Sequence, residues 1–162
     1  MHVLHFIAVE ADTPEEAVSI VETNLDGYDE GEKLFAWSDW SVVGGRWEDE
    51  GKVHAYSDDP EKFNAFLERA RQNRVAEIES LFFGIENVES IIDYVRNWDG
   101  KTSEYNLDLY RLRQAISIVD DNGKQDQYFY DLKEWTGDFK YVNQRCETDP
   151  TRQFLVLVDF HH

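Results

Sequence analysis

Runs of apolar residues open and close this chain, and amphipathic stretches with helical spacing fill much of what lies between. Val3 to Val9 is apolar at adjacent as well as alternate positions, the pattern of a central strand buried on both faces. Gln153 to Phe160 repeats that pattern at the other end, and pairing of the two would tie both termini into one sheet. After the first strand, Asp12-Thr13-Pro14-Glu15-Glu16 announces a helix. Thr13 caps it, Pro14 takes the first helical position and Glu16 completes a capping box. Ala17, Ile20 and Val21 continue as its buried stripe, and a polar loop over Asn24 to Gly31 ends it. Two strands follow, Leu34 to Val43 and Arg46 to Ser57. Gly44-Gly45 between them supplies the positive φ of a tight hairpin turn.

Helical chemistry then takes over. Asp58-Asp59-Pro60-Glu61 is a second helix start, and Phe63, Phe66, Leu67, Ala70, Arg74, Ile78 and Leu81 recur at three- and four-residue steps, with Gly84 as the stop. Val88, Ile91, Ile92 and Val95 mark a further helix capped by Asn87 and closed before Asp99-Gly100. Leu109, Leu112, Ile116 and Val119 mark another, ending at Asp120-Asp121-Asn122-Gly123. Tyr128 to Trp135 reads equally as helix or strand. The order β-α-β-β, helices, closing strand predicts an α+β fold in one domain over residues 1–162: a ferredoxin-like, mainly antiparallel sheet with helices on one face and a helical insertion near 60–122.

Charge narrows the choice of partners. The formal net charge is −18, and it is uneven: residues 1–61 hold 16 acidic and 3 basic residues, the rest 18 and 13. Such acidity disfavours direct contact with nucleic acid or an anionic membrane and favours a basic protein, a cation or simple solubility. An aromatic content of 14% excludes a disordered acidic tail. Cys146 is the single cysteine, so no intramolecular disulfide forms, and with no signal peptide or membrane span in the sequence a cytoplasmic setting is expected. Cys146 suits a buried inert thiol better than a nucleophile, and it falls in what reads as a polar loop with no partner predictable from the sequence.

Three sets of residues carry candidate chemistry. The segment Trp37 to Trp47 holds three of the five tryptophans, and in it Trp40, Gly44, Gly45, Arg46 and Trp47 could form a ligand site. The glycines would admit a ligand to the backbone, Arg46 would hold a phosphate or carboxylate, and Trp40 or Trp47 would stack on a base. Against this stands a plain turn whose tryptophans fill the core while Arg46 pairs with Glu48 or Asp49. His2, His5, His161 and His162 lie at the two ends of the chain, near Asp159. If the end strands pair, His5, Asp159 and His161 are the candidates for a divalent metal or for acid and base work, although their spacing matches no standard metal signature. Carboxylates gather at Asp29-Glu30 with Glu32, at Glu48-Asp49-Glu50, and at Asp58-Asp59 with Glu61, the last already explained by helix capping.

The pattern Trp37-x-x-Trp40-x-x-x-Gly44-Gly45-Arg46-Trp47, together with the closing Val156-Leu157-Val158-Asp159-Phe160-His161, resembles small uncharacterised phage and prophage proteins. Those carry an aromatic-Gly-Gly-Arg-Trp motif and a terminal Val-Asp-x-His strand. The resemblance covers two short motifs and brings no activity with it; it implies a phage-encoded accessory protein, a setting in which blocking host factors is a common task. The leading expectation is therefore a non-enzymatic protein without a cofactor, whose acidic surface engages and inhibits a basic host protein, such as a defence or nucleic-acid-processing factor. A small nucleotide-like anion held by the Gly-Gly-Arg-Trp segment is the alternative, and metal-assisted hydrolysis by His5, Asp159 and His161 stands third.

Overall fold

The computed structural model describes residues 2–26, 40–96, 106–119 and 128–161. The chain divides into two compact units, Met1–Gln72 with Asp121–His162, and Asn73–Asp120. The first unit is built on strands β1 (His2–Glu10), β2 (Trp40–Val43), β3 (Val53–Ala55), β4 (Phe129–Asp131) and β5 (Gln153–His161). Helices α1 (Pro14–Asp26) and α5 (Phe139–Thr148) belong to it, as does the first half of α2 (Pro60–Phe83). The second unit holds the rest of α2, α3 (Val88–Arg96) and α4 (Leu107–Val119). Among the described residues no helix is long and apolar enough to cross a membrane.

The two apolar end strands do pair, antiparallel and in full register from His2 opposite His161 to Glu10 opposite Gln153. They form the middle of a sheet ordered β2-β5-β1-β4, with β3 also on β5. The class is α+β as expected, but the sheet is mixed, because β4 lies parallel to β1. Among the described strands three of the four pairings are antiparallel, so the sheet is mainly antiparallel, while the ferredoxin-like arrangement goes beyond what this topology carries.

Helices on one face only is also corrected. Ile7, Val9, Val156, Val158 and Phe160 pack with Ala17 and Val21 of α1. Leu4, Phe6, Ala8, Leu155 and Leu157, of opposite parity, pack with Phe63, Phe66, Leu67 and Ala70 of α2 and with Val142 and Cys146 of α5. Two covered faces explain why neither central strand alternates in polarity. Each fully buried Phe or Leu there contributes about 1.5–3 kcal/mol relative to exposure.

Capping follows the sequence closely. Glu16 N donates to Thr13 Oγ1 at 3.1 Å, and Glu16 Oε2 reaches back to Asp12 N at 2.7 Å, one residue earlier than in the usual box. Asp59 caps α2 through Lys62 N at 2.9 Å, and Asn87 caps α3 through Ser90 N at 3.2 Å. Tyr128 to Trp135 resolves into β4 and a turn closed by reciprocal backbone bonds between Asp131 and Thr136. Leu34 to Asp39, the Asp29-Glu30-Glu32 cluster and the stops at Asp99-Gly100 and Asp120 to Gly123 lie outside the described residues.

Candidate functional site

The Gly-Gly segment is not a hairpin. Trp40–Val43 pairs with residues 158–161 of β5, and Val53–Ala55 pairs with residues 154–156, both antiparallel. The two strands are consecutive pieces of one line along the same side of β5, interrupted by an excursion. That excursion leaves where Gly44 N donates to Leu157 O at 2.8 Å and returns where Leu157 N donates to Lys52 O at 2.9 Å. Between these points Gly45–Glu50 winds as a 3₁₀ helix. A single residue of β5 thus closes both ends of the loop, as in an enlarged bulge.

Asp159 anchors the loop. The residue is 1% exposed; its carboxylate accepts from Arg46 N at 3.1 Å and from His2 Nδ1 at 2.9 Å, a bond that requires a proton on His2 Nδ1. Gly45 has φ +54, and a Cβ there would lie 2.3 Å from Asp159 Cβ. Both its conformation and the contact demand glycine. His161 stacks on Trp40, centroids 5.2 Å apart and planes within 4°, while His2 meets Trp40 and His161 edge-on at 5.4 and 5.0 Å. The starts of β1 and β2 and the end of β5 are so joined by one carboxylate, two imidazoles and an indole.

Of the five ligand candidates, Trp40 remains 45% exposed within this cluster, and Gly44 and Gly45 shape the loop. The Arg46 side chain is exposed and makes no ion pair among the described residues, so the expected pairing with Glu48 or Asp49 does not form. Trp47 is half-buried and packs against the core cluster that includes Phe63, Phe66 and Leu67 of α2. Trp37 is outside the described residues.

The metal triad is not assembled. His5 stands opposite Val158, on the face of α1, whereas His2, Asp159 and His161 occupy the other parity. Among the described residues no three His, Cys, Asp or Glu side chains converge as a metal set. Reading the sequence without a strand register could not choose between His2 and His5; the parity of the pairing decides it.

A second polar arrangement, with no signature in the sequence, lies at α5. Asp131 is fully buried, and Arg145 Nη2 donates to its two oxygens at 2.9 and 2.8 Å, while Arg145 Nε donates to Gln153 Oε1 at 3.0 Å. Burial pushes the Asp131 carboxyl up against the opposing pull of Arg145. Beside this network an open cavity of about 480 Å³ is lined by Glu134, Tyr141, Gln144, Arg145, Glu147 and Thr148. Cys146 is buried, as expected of an inert thiol, but on α5 rather than in a polar loop; burial pushes its thiol up to about 12, so it is not a thiolate nucleophile at neutral pH.

No protein family, curated protein or solved structure matches this chain in the comparisons made. The fold defines its class only, an α+β protein with a mixed sheet covered on both faces.

Proposed function

We propose that this is a non-enzymatic, phage-encoded binding protein that engages and blocks a basic host protein, such as a defence or nucleic-acid-processing factor, through exposed carboxylates. The supporting observation is a surplus of uncompensated acid around the Gly-Gly excursion. Asp49, Asp58 and Glu61 are exposed and make no ion pair among the described residues; of the nearby cations Arg46 is also unpaired, while two others are engaged by acids of the excursion. Lys52 pairs with Glu48 at 3.0 Å and Arg69 with Glu50 at 2.7 Å. Carboxylates held apart on a folded frame attract a basic surface, steer its approach and imitate a phosphate backbone. The buried, protonated Cys146 fits a binding role better than nucleophilic chemistry.

The test is retention of host proteins on the immobilised chain at low salt, compared with an Asp49→Asn/Asp58→Asn/Glu61→Gln variant. Basic proteins should be retained, released as salt shortens the screening length, and retained poorly by the variant. Absence of any retained basic protein, or retention indifferent to the triple change, would sink this reading.

The exposed Trp40 stacked on His161, together with the exposed Arg46 whose backbone N–H is held by Asp159, favours a second reading, a small nucleotide-like anion. Such a ligand should raise the melting temperature of the wild type but not of Arg46→Ala.

A further inference from the structure

The unit Asn73–Asp120 is held together differently from the sheet. Among its described residues the one fully buried hydrophobic side chain is Ala115. Its coherence comes from polar contacts around Asp108, whose carboxylate accepts from Glu86 N and Asn87 N at 3.2 Å each and from Ser90 Oγ at 3.3 Å. Those bonds hold Asp108 below the usual carboxylate range. Arg111 donates to Gly84 O, and Asn106 Nδ2 donates to Ser90 O at 3.3 Å. The turn between α2 and α3 is thus fixed without using the large apolar side chains.

Those side chains are left outside. Phe83 is 85% exposed, Val88 and Val95 63%, and Phe82 and Ile92 are exposed as well. Val88, Ile92 and Val95 follow the i, i+4, i+7 spacing of one helical stripe, while Ile91 and Tyr94 on its flank are partly covered. An apolar stripe presented to water marks an interaction surface. Glu79, Glu86 and Glu89, each within four residues of one of these apolar side chains, are exposed and make no ion pair among the described residues, whereas Arg96 beside Val95 is paired with Asp93.

We propose that this face docks an amphipathic helix of the partner, with an apolar stripe flanked by lysine or arginine. The proposal rests on the basic-partner reading above and names the surface and the chemistry that would carry it. Burial of apolar side chains and neutralisation of these glutamates are satisfied together by such a helix. A second copy of this chain would set the same carboxylates against each other, and an anionic membrane would be repelled.

The experiment uses the full chain and two synthetic peptides of identical leucine and lysine composition, one with a helical leucine stripe and one scrambled. Affinities are measured by fluorescence anisotropy at two salt concentrations. The wild type should bind the striped peptide at least about tenfold more tightly than the scrambled one, a difference within the range of one buried anchor. Phe83→Ser/Val88→Ser/Val95→Ser should abolish that preference with an unchanged far-ultraviolet circular dichroism spectrum; Phe83→Ser alone should reduce it. Glu79→Gln/Glu86→Gln/Glu89→Gln should weaken binding and flatten its salt dependence. Equal affinity for the two peptides overturns the docking face and leaves the basic-partner reading standing. No binding of either peptide removes both. Concentration-dependent self-association of the wild type, lost in the triple serine variant, would assign the face to a second copy instead.

Discussion

Replacing Gly45 by alanine tests the loop anchor, and Gly44→Ala supplies the control one residue away. Both glycines have positive φ: at Gly45, with φ +54, alanine carries a left-handed backbone cost of about 1–2 kcal/mol, and Gly44, at φ +80 and ψ −70, is in the strained γ-turn region, where alanine costs about 1–3 kcal/mol. The new methyls meet different neighbours. At Gly44 the nearest atom is Lys52 Cγ at 2.9 Å, part of a flexible, exposed side chain that can swing aside. At Gly45 it is Asp159 Cβ at 2.3 Å, fixed to a central strand, with Oδ2 at 2.6 Å. Relief there requires the carboxylate to move off Arg46 N and His2 Nδ1, and hydrogen bonds to a charged group are worth about 1.5–3 kcal/mol. Gly45→Ala should cost about 3–5 kcal/mol in all, against about 1–3 for Gly44→Ala. For a chain of this length each kcal/mol lowers the melting temperature by about 2–4 °C, so Gly45→Ala should melt roughly 10 °C below wild type. Urea denaturation of both variants gives the comparison directly. Equal losses would refute the close approach to Asp159 and leave backbone conformation as the whole cause.

The Asp131–Arg145 pair gives a second outcome: Arg145→Met should destabilise by about 3–5 kcal/mol by stranding a buried carboxylate, and Asp131→Leu/Arg145→Met should recover much of it. If the double variant is no better than the single in denaturation, stranded charge is not the cause. His54 gives the pH dependence. Burial, helped by Lys62, lowers its pKa below the ordinary 6.5. As pH falls through 6.5, the unfolded chain takes up a proton that the folded chain refuses, so stability must fall on acidification through that window. His54→Gln should flatten the fall in melting temperature between about pH 7 and pH 5; the same slope in both proteins would exclude His54 as its source.

The sequence was most legible where one physical requirement dominates. Val3 to Val9 and Gln153 to Phe160 are apolar at every parity because helices cover both faces, and they pair as expected. Caps at Thr13, Asp59 and Asn87 were readable because a short polar side chain has one economical use at a helix start. Helix α5 escaped notice because its buried stripe is only Val142 and Cys146, with Phe139 partly covered, in a polar setting. Its start was visible in principle, since Asp138 accepts from Lys140 N at 2.8 Å. Gly44-Gly45 misled for a different reason. Two short strands separated by glycines look alike whether they fold back on each other or run in line along a third strand, and only the distant Leu157 distinguishes these. The histidine at Asp159 was illegible at the same level: the carboxylate stands out in the sequence, but its imidazole partner depends on register, which sequence spacing does not contain.

These two modes of assembly separate stability from recognition. In the sheet unit most large apolar residues are consumed by packing, with Trp40, Val42, Trp135 and Tyr141 as exposed exceptions, and its buried charges, Asp131 and Asp159, are committed to fixed donors. Substitutions there should be read out first as lost stability. In the helical unit Asp108 and its donors set the turn, while Phe83, Val88 and Val95 face solvent. Serine at those positions removes apolar surface without opening a cavity, so the loss should fall on binding and leave the fold intact. Acidic charge is present in both units, yet only one also presents an apolar stripe. A partner selected by charge alone would make the two surfaces interchangeable; a partner that also buries apolar side chains would distinguish them. That difference makes the striped and scrambled peptides a sharper discriminator than salt dependence, because long-range attraction is common to every basic chain and apolar burial is not.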